Sequence, residues 1–461
     1  MINSRTRYLP NIFESIHKCN MKFFKNFFQQ TGNSPLIIFR IAFGFLLGYQ
    51  FLYALLSGSV YRDYIQPPFT FNYIGFDFLQ PLPGNGMYYY VALMILLAFM
   101  IMIGAWYRIT TVLFSVLWTT LYLMQKSNYN NHYYLEILLC WIMIFMPANR
   151  FYSVDVKRKT VTETNTCSKY CIYIFIAQIA IVYFFAAISK LSSDWFSGKY
   201  IAIQFAELSR RPKLGIIYGQ HWFQLFICYA GFLFDLLIVP LLLWKKTRTY
   251  AFITSCLFHL FNSFSFNIGI FPYLSIALTI FFFNGNTIRR LFFKHLTESN
   301  ISSQRNYSIK ERIILYCFSI YFFFQVIIPM RSWFYTGNVF WTEEGYRMGW
   351  KMMMRSKNGT IHFKITDTAL HKQWIIDPLK IFSSNQVNWL AISPDIIWQY
   401  SQRLKNDFAK KGFTNVQVYA VGEVSLNRSK PMPLIDSTVN LAAVKWQPFK
   451  HSAWITKAPE H

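Results

Sequence analysis

What most restricts this chain is a series of apolar runs through its first 330 residues, each approaching the ~20 residues an α-helix needs to cross bilayer hydrocarbon. Nine are read: about 36–56, 87–106, 109–125, 133–147, 170–191, 222–244, 249–265, 269–284 and 313–330. In hydrocarbon the backbone must satisfy its own hydrogen bonds, so such runs become helices. The fourth and eighth are short, and hydropathy alone does not separate a short span from a buried half-span. The N-terminal stretch has no small-residue cleavage site of a secretory signal, and segment 12–28 has the character of an amphipathic interfacial helix.

Composition agrees with a membrane protein. Of 461 residues 14% are charged and 54% hydrophobic, too little charge to cover a water-facing surface of this size. Disorder, collagen and a small disulfide scaffold are excluded. Lys and Arg number 45 against 20 acidic residues, a net charge of +25 that could serve nucleic acid, anionic lipid or topology. Its distribution decides. With nine spans, 20 basic residues fall on one side of the membrane and 6, namely Arg62, Lys126, Lys199, Arg210, Arg211 and Lys213, on the other. The positive-inside rule then makes the N-terminus cytoplasmic and everything after 331 extracytoplasmic. The charge is thus largely topological, and nucleic acid is not an expected partner.

From Arg331 onward the pattern becomes soluble α+β. Residues 361–366 and 416–426 alternate like strands. Ser393-Pro394-Asp395 reads as a helix start, with the helix running to Lys411 and stopping at Gly412. The expected fold is therefore an α-helical integral membrane domain of about nine transmembrane helices with a C-terminal extracytoplasmic α+β domain. Its parts are a cytoplasmic or interfacial segment 1–35, a multi-span domain 36–330 and a soluble domain 331–461. The last contains no cysteine, and Cys167 and Cys171 lack the spacing of a metal site, so no metal is expected.

Ionisable groups inside spans are costly and mark functional sites by default. Arg40, Glu136, Lys190, Asp235 and His259 are such groups, with His132 at a span entrance. Arg40, one turn into its span, reads as snorkelling to the cytoplasmic face. Asp235 reads as pairing with Arg40 or another buried cation, with structure weighing at least as heavily as chemistry. Lys190 ends an apolar run near the outer boundary. It either snorkels or is an amine desolvated among Phe184, Phe185 and neighbouring spans, able to act as a base. His132 stands in Asn130-Asn131-His132-Tyr133-Tyr134, and His259 and Asn262 share one helical face. Each has a bland packing role open to it, yet all three features fall in the outer leaflet.

At these stretches, and from Leu36 to Pro459 overall, the sequence resembles the vitamin K-dependent γ-glutamyl carboxylase family, as a prokaryotic-type member. The resemblance runs through Phe39-Arg40-Ile41-Ala42-Phe43-Gly44, Gly104-Ala105-Trp106-Tyr107-Arg108, Asn131-His132, Pro147-Ala148-Asn149-Arg150, Ala187-Ile188-Ser189-Lys190-Leu191 and Phe258-His259. In the soluble part it runs through Gly337-Asn338-Val339-Phe340-Trp341-Thr342-Glu343-Glu344-Gly345, Trp350-Lys351-Met352-Met353 and Val424-Ser425-Leu426-Asn427.

The resemblance implies a peptidyl-glutamate carboxylase with epoxidase activity. Reduced vitamin K (phylloquinol or menaquinol) is oxidised by O2 to its epoxide, and CO2 is added to glutamate in a protein or peptide substrate. It implies that Lys190 deprotonates the reduced quinone and that His132 serves the carboxylation step. Asn131, Tyr133, His259 and Asn262 are expected on the cofactor, while Arg40, Asp235 and Glu136 are structural candidates. Expected partners are the substrate protein, the membrane lipid with its quinone pool, and a quinone reductase. Two departures stand out: Ser189-Lys190 replaces two adjacent lysines of animal members, and the cysteine pair that links their first lumenal loop to the soluble domain is missing. A non-carboxylating quinol oxidase, epoxidase or quinone sensor of the same fold is the alternative. A transporter would need broken helices around a midplane site, a symmetry the sequence lacks.

Overall fold

The structure, a computed structural model, describes residues 26–266, 268–293 and 308–459, so the amphipathic segment expected at 12–28 lies almost wholly outside the described residues. Helices form over each of the nine apolar segments: α1 Ser34–Leu56, α2 Gly86–Ile103, α3 Tyr107–Met124, α4 Asn131–Phe145, α5 Tyr170–Ser189, α6 His221–Leu243, α7 Arg248–Ser265, α8 Phe271–Leu278 and α9 Ile309–Met330. Five of them, α1, α2, α5, α6 and α9, are long and apolar enough to cross a membrane.

The other four fall short for local reasons. Helix α4 has 15 residues, and α8 has 8 before tightening into a 3-10 turn over Thr279–Phe282. Helix α7 is polar on its inner face, burying Ser255, His259 and Asn262 while Leu257, Leu260 and Phe264 point outward. In α3 the hydroxyls close on their own helix, Thr111 donating to the Tyr107 carbonyl at 2.6 Å and Ser115 to that of Thr111 at 2.7 Å, which satisfies them without a partner helix. Average hydropathy thus undervalues helices whose polar groups face the bundle.

Two short strands, β1 Gln30–Gly32 and β2 Thr166–Ser168, pair antiparallel beside the starts of α1 and α5. The C-terminal region holds two three-stranded sheets. In one, β3 Lys357–Gly359 pairs with β7 Glu423–Leu426, which pairs with β8 Met432–Pro433. In the other, β4 His362–Asp367 lies between β5 Lys372–Ile376 and β6 Val416–Val421, all antiparallel. The strand expected over 416–426 is therefore two. It breaks at Gly422, where any Cβ would collide with the Thr360 carbonyl, so the backbone changes sheet there. Two helices, α10 Ser384–Ile392 and α11 Pro394–Lys410, complete the domain. Helix α11 has Pro394 at its first position, as read from the sequence, and buries Ile396, Ile397, Tyr400, Leu404 and Phe408 against Phe363, Ile365 and Val418.

The boundary between the two parts is not where the chain first becomes polar. Phe71, in the loop between α1 and α2, is fully buried in the C-terminal core, and the Phe69 ring meets that of Phe382 at 5.1 Å. Gln386 donates to the Phe69 carbonyl at 3.0 Å, and the Lys126 amide to the Phe71 carbonyl at 2.7 Å. The Lys126 ammonium pairs with Asp395 at 2.8 Å. A loop of the helical region thus completes the C-terminal core and anchors it to the helices.

Candidate active site

Lys190 caps the C-terminal end of α5 and is only 6% exposed. Its ammonium reaches Asp235 Oδ2 of α6 at 2.7 Å and stands 5.1 Å from the Trp195 ring centroid. Trp195 is fixed in turn, donating from Nε1 to the Cys228 carbonyl at 2.9 Å. Of the two readings open to Lys190, snorkelling and a desolvated amine, its burial beside a buried carboxylate supports the second. The expected walls are corrected in part: Phe185 is buried, but Phe184 is 55% exposed on the outer side of α5.

Seven residues before Lys190, two turns back on the same face, the Tyr183 hydroxyl meets His259 Nε2 at 3.0 Å. Phe234, beside Asp235, links the two halves by touching the rings of both Tyr183 (5.8 Å) and His259 (5.5 Å). The His132 ring stacks on Phe271 at 3.9 Å, and His259 meets the same ring edge-on at 6.0 Å. Four helices, α4, α5, α6 and α7, together with the first residue of α8, therefore bring Lys190, Asp235, Tyr183, His259 and His132 into one enclosed constellation. Nδ1 of each histidine is buried and has no hydrogen-bond partner.

The remaining candidates divide. Asn131 accepts from the Tyr129 hydroxyl at 2.6 Å, and Asn262 is buried one turn beyond His259. Tyr133 faces away from the histidines into a separate cavity of about 880 Å³, lined also by Tyr49, Gln50, Trp118, Ile270 and Asn385. Lys190, His132, His259 and Asn262 do not line it. Glu136 is fully buried and accepts from Gln50 at 2.7 Å. Arg40 does not snorkel and does not meet Asp235. It is fully buried, donating to the carbonyls of Ala148 (3.1 Å) and Tyr152 (2.7 Å). Gly104, at φ 67°, makes room for it, since a Cβ there would collide with Arg40 Nη1.

Sequence reasoning missed Tyr183, Phe234, Phe271 and Trp195. The seven-residue spacing from Lys190 could have found Tyr183. Phe271 gives no signal in a chain with 48 phenylalanines. Among the described residues no group of three or more His, Cys, Asp or Glu side chains is placed to hold a metal.

Two protein families match the chain. The HTTM domain matches residues 28–286, and the vitamin K-dependent gamma-carboxylase lumenal domain matches residues 310–461. No solved structure matches.

Proposed function

The chain belongs to the vitamin K-dependent gamma-carboxylase family, and on that premise we propose that it couples oxidation of a reduced vitamin K by O2 to carboxylation of glutamate in a protein substrate. The observation that carries this reading is the enclosed constellation around Lys190 and the two histidines. Its chemistry suits the cofactor, since aromatic rings and two imidazoles with unpartnered Nδ1 atoms stand together, but the Phe271 face is stacked on His132 at 3.9 Å and the Phe234 face on Phe258 at 3.8 Å, so an aromatic diol reaches them only by moving these rings apart. When bound, the reduced quinone supplies through its oxidation the base strength that no side chain has.

The chain's own residues have narrower tasks. Lys190 takes a phenolic proton at Nζ. For its lone pair to be free at that moment, the proton shared across the 2.7 Å contact must sit on Asp235 Oδ2. His259, held by Tyr183, orients the ring, and His132, stacked on Phe271, serves the later step in which CO2 is captured. The buried aromatic walls exclude water, which would otherwise quench the carbanion before CO2 reaches it. Following quinol consumption with a glutamyl peptide, with and without CO2, tests the reading. Quinol consumed to epoxide with an unaltered peptide under CO2 favours the oxidase alternative instead.

The nine-span arrangement belongs to the same proposal, with the N-terminus in the cytoplasm and the domain from 331 onward outside. The name of the matched lumenal domain supports the outer location. In a cysteine-free background, a thiol at exposed Lys430 should react with an impermeant reagent added outside, and one at exposed Lys157 should not. The reverse pattern rejects this topology.

A further inference from the structure

One phenylalanine of the C-terminal domain is held almost entirely in the open. Phe449 is 90% exposed, more than any other large apolar side chain among the described residues. Its loop is nonetheless fixed. The stretch before it is pinned to α11, where Gln402 donates to the Leu441 carbonyl at 2.7 Å, Lys405 to that of Ala442 at 3.0 Å and the Trp398 indole to that of Val444 at 2.8 Å. The Trp446 ring meets those of Trp398 at 5.7 Å and Trp454 at 6.4 Å. The Lys450 amide then closes a turn on the Gln447 carbonyl at 3.4 Å, with Pro448 inside it. The display of Phe449 is therefore built into the loop, and a phenyl ring gains by leaving water.

Its position in the fold says what covers it. The Tyr335 hydroxyl donates to the Pro448 carbonyl, which brings the loop to the end of the apolar stretch Ile309–Phe334, the least covered by protein of the five long enough to cross a membrane. Trp333 and Phe334, at that end, are 54% and 81% exposed. From Ile313, past the charged Lys310, Glu311 and Arg312, α9 rises about 27 Å to Met330, and the 3-10 turn Arg331–Phe334 adds about 8 Å. Hydrocarbon is ~30 Å thick and the two interfacial layers bring a bilayer to ~40–45 Å. With α9 across the membrane, Phe334 therefore stands in the interfacial layer, and Phe449 is tied beside it. Lys445 and Lys450, on either side of Phe449 in the chain, are both exposed.

We propose that Trp333, Phe334 and Phe449 form an interfacial foot by which the C-terminal domain sits in the phospholipid leaflet on its own side of the membrane, with Lys445 and Lys450 at the level of the phosphates. A leaflet fits better than a protein partner because the patch continues the end of a span and sets cations beside its rings. Aromatic rings at headgroup depth and lysines reaching anionic headgroups are what a membrane interface favours. The foot requires only that α9 cross the membrane, and it is independent of the carboxylase reading.

The test uses the full-length protein in nanodiscs of phosphatidylcholine and phosphatidylglycerol, one copy in each. In a cysteine-free background, a polarity-sensitive fluorophore on Phe449→Cys is read against aqueous iodide and against phospholipids spin-labelled either near the headgroup or at the chain end. Its emission should shift to the blue. Lipid labelled near the headgroup should quench it more than lipid labelled at the chain end, and iodide should quench it least. Phe449 contributes almost nothing to the core, so the variant should melt with the parent; if it fails to fold, the same label on exposed Lys450 takes its place. With the label on Lys450→Cys, adding Phe449→Ser should lower lipid quenching by roughly twofold or more, because the ring that holds the loop in the interface is gone. Quenching by iodide and not by lipid overturns the foot. Shielding from both quenchers overturns it in favour of a protein contact, and lipid quenching at Lys450→Cys that Phe449→Ser leaves unchanged overturns the part given to Phe449.

Discussion

Replacing Lys190 with alanine should abolish quinol oxidation and peptide carboxylation together, by roughly 10²–10⁴-fold, the range that a positioned general base contributes. Deprotonation of the quinol comes first, so nothing later can proceed without it. His132→Ala should instead spare part of the oxidation and lose more of the carboxylation, because on the proposed reading His132 serves the second step, while the Lys190–Asp235 pair that starts the first stays in place. Stability must be separated from chemistry, since Lys190→Ala leaves Asp235 buried without its partner at 2.7 Å. Lys190→Ala with Asp235→Asn removes that penalty, and should recover stability without recovering activity. A small exogenous amine should partly restore Lys190→Ala by occupying the vacated space beside Asp235, with recovery that follows amine basicity. Full oxidation in a folded Lys190→Ala protein contradicts the assignment, and equal loss of both activities in His132→Ala moves that residue to the first step.

Asp395→Asn should loosen the attachment of the C-terminal domain by about 3–5 kcal/mol, the cost of leaving a buried charge uncompensated. The carboxylate holds Lys126 of the helical region and Arg347 of its own domain at once, at 2.8 and 2.7 Å. Those two cations keep Asp395 well below the usual carboxylate range, against the opposing effect of burial. A carboxyl group depressed in the folded state contributes stability above its ordinary value near 3.8 and loses it as pH falls through the still lower folded value. The contribution should therefore be constant between roughly pH 5 and 7, below the value of about 8 to which burial lowers Lys126, and Asp395→Asn should lower the melting temperature equally across that range. Hydrogen exchange should rise at the seam, around Phe69 to Phe71 and α10, before it rises in α1 or α5. A variant as stable as the parent shows that the Phe69 and Phe71 anchor suffices without the charge.

Local chemistry made the helices and strands legible. Long apolar runs became helices because hydrocarbon and bundle interior make the same demand on the backbone, and Pro394 marked the start of α11. Alternation located β4 and β6 but could not see the break at Gly422, which depends on the approach of Thr360 from elsewhere in the chain. The polar residues worth attention were equally visible, since an ionisable group in an apolar run is conspicuous. Their partners were not. Asp235 is 45 residues from Lys190 and Phe71 is hundreds from Phe382, and no periodicity carries such distances. Arg40 misled for the same reason: its depth in the span was plain, but the carbonyls of Ala148 and Tyr152 that accept from it were not.

The central claim is that oxidation of a reduced quinone around Lys190 is coupled to carbon–carbon bond formation on glutamate. Incorporation of isotopically labelled CO2 into a glutamyl peptide by the purified protein, with O2 present and with or without reduced vitamin K, tests it most directly. Label should enter the peptide only when the reduced quinone is present, with epoxide appearing alongside. Quinone-dependent epoxide with no label in the peptide contradicts it.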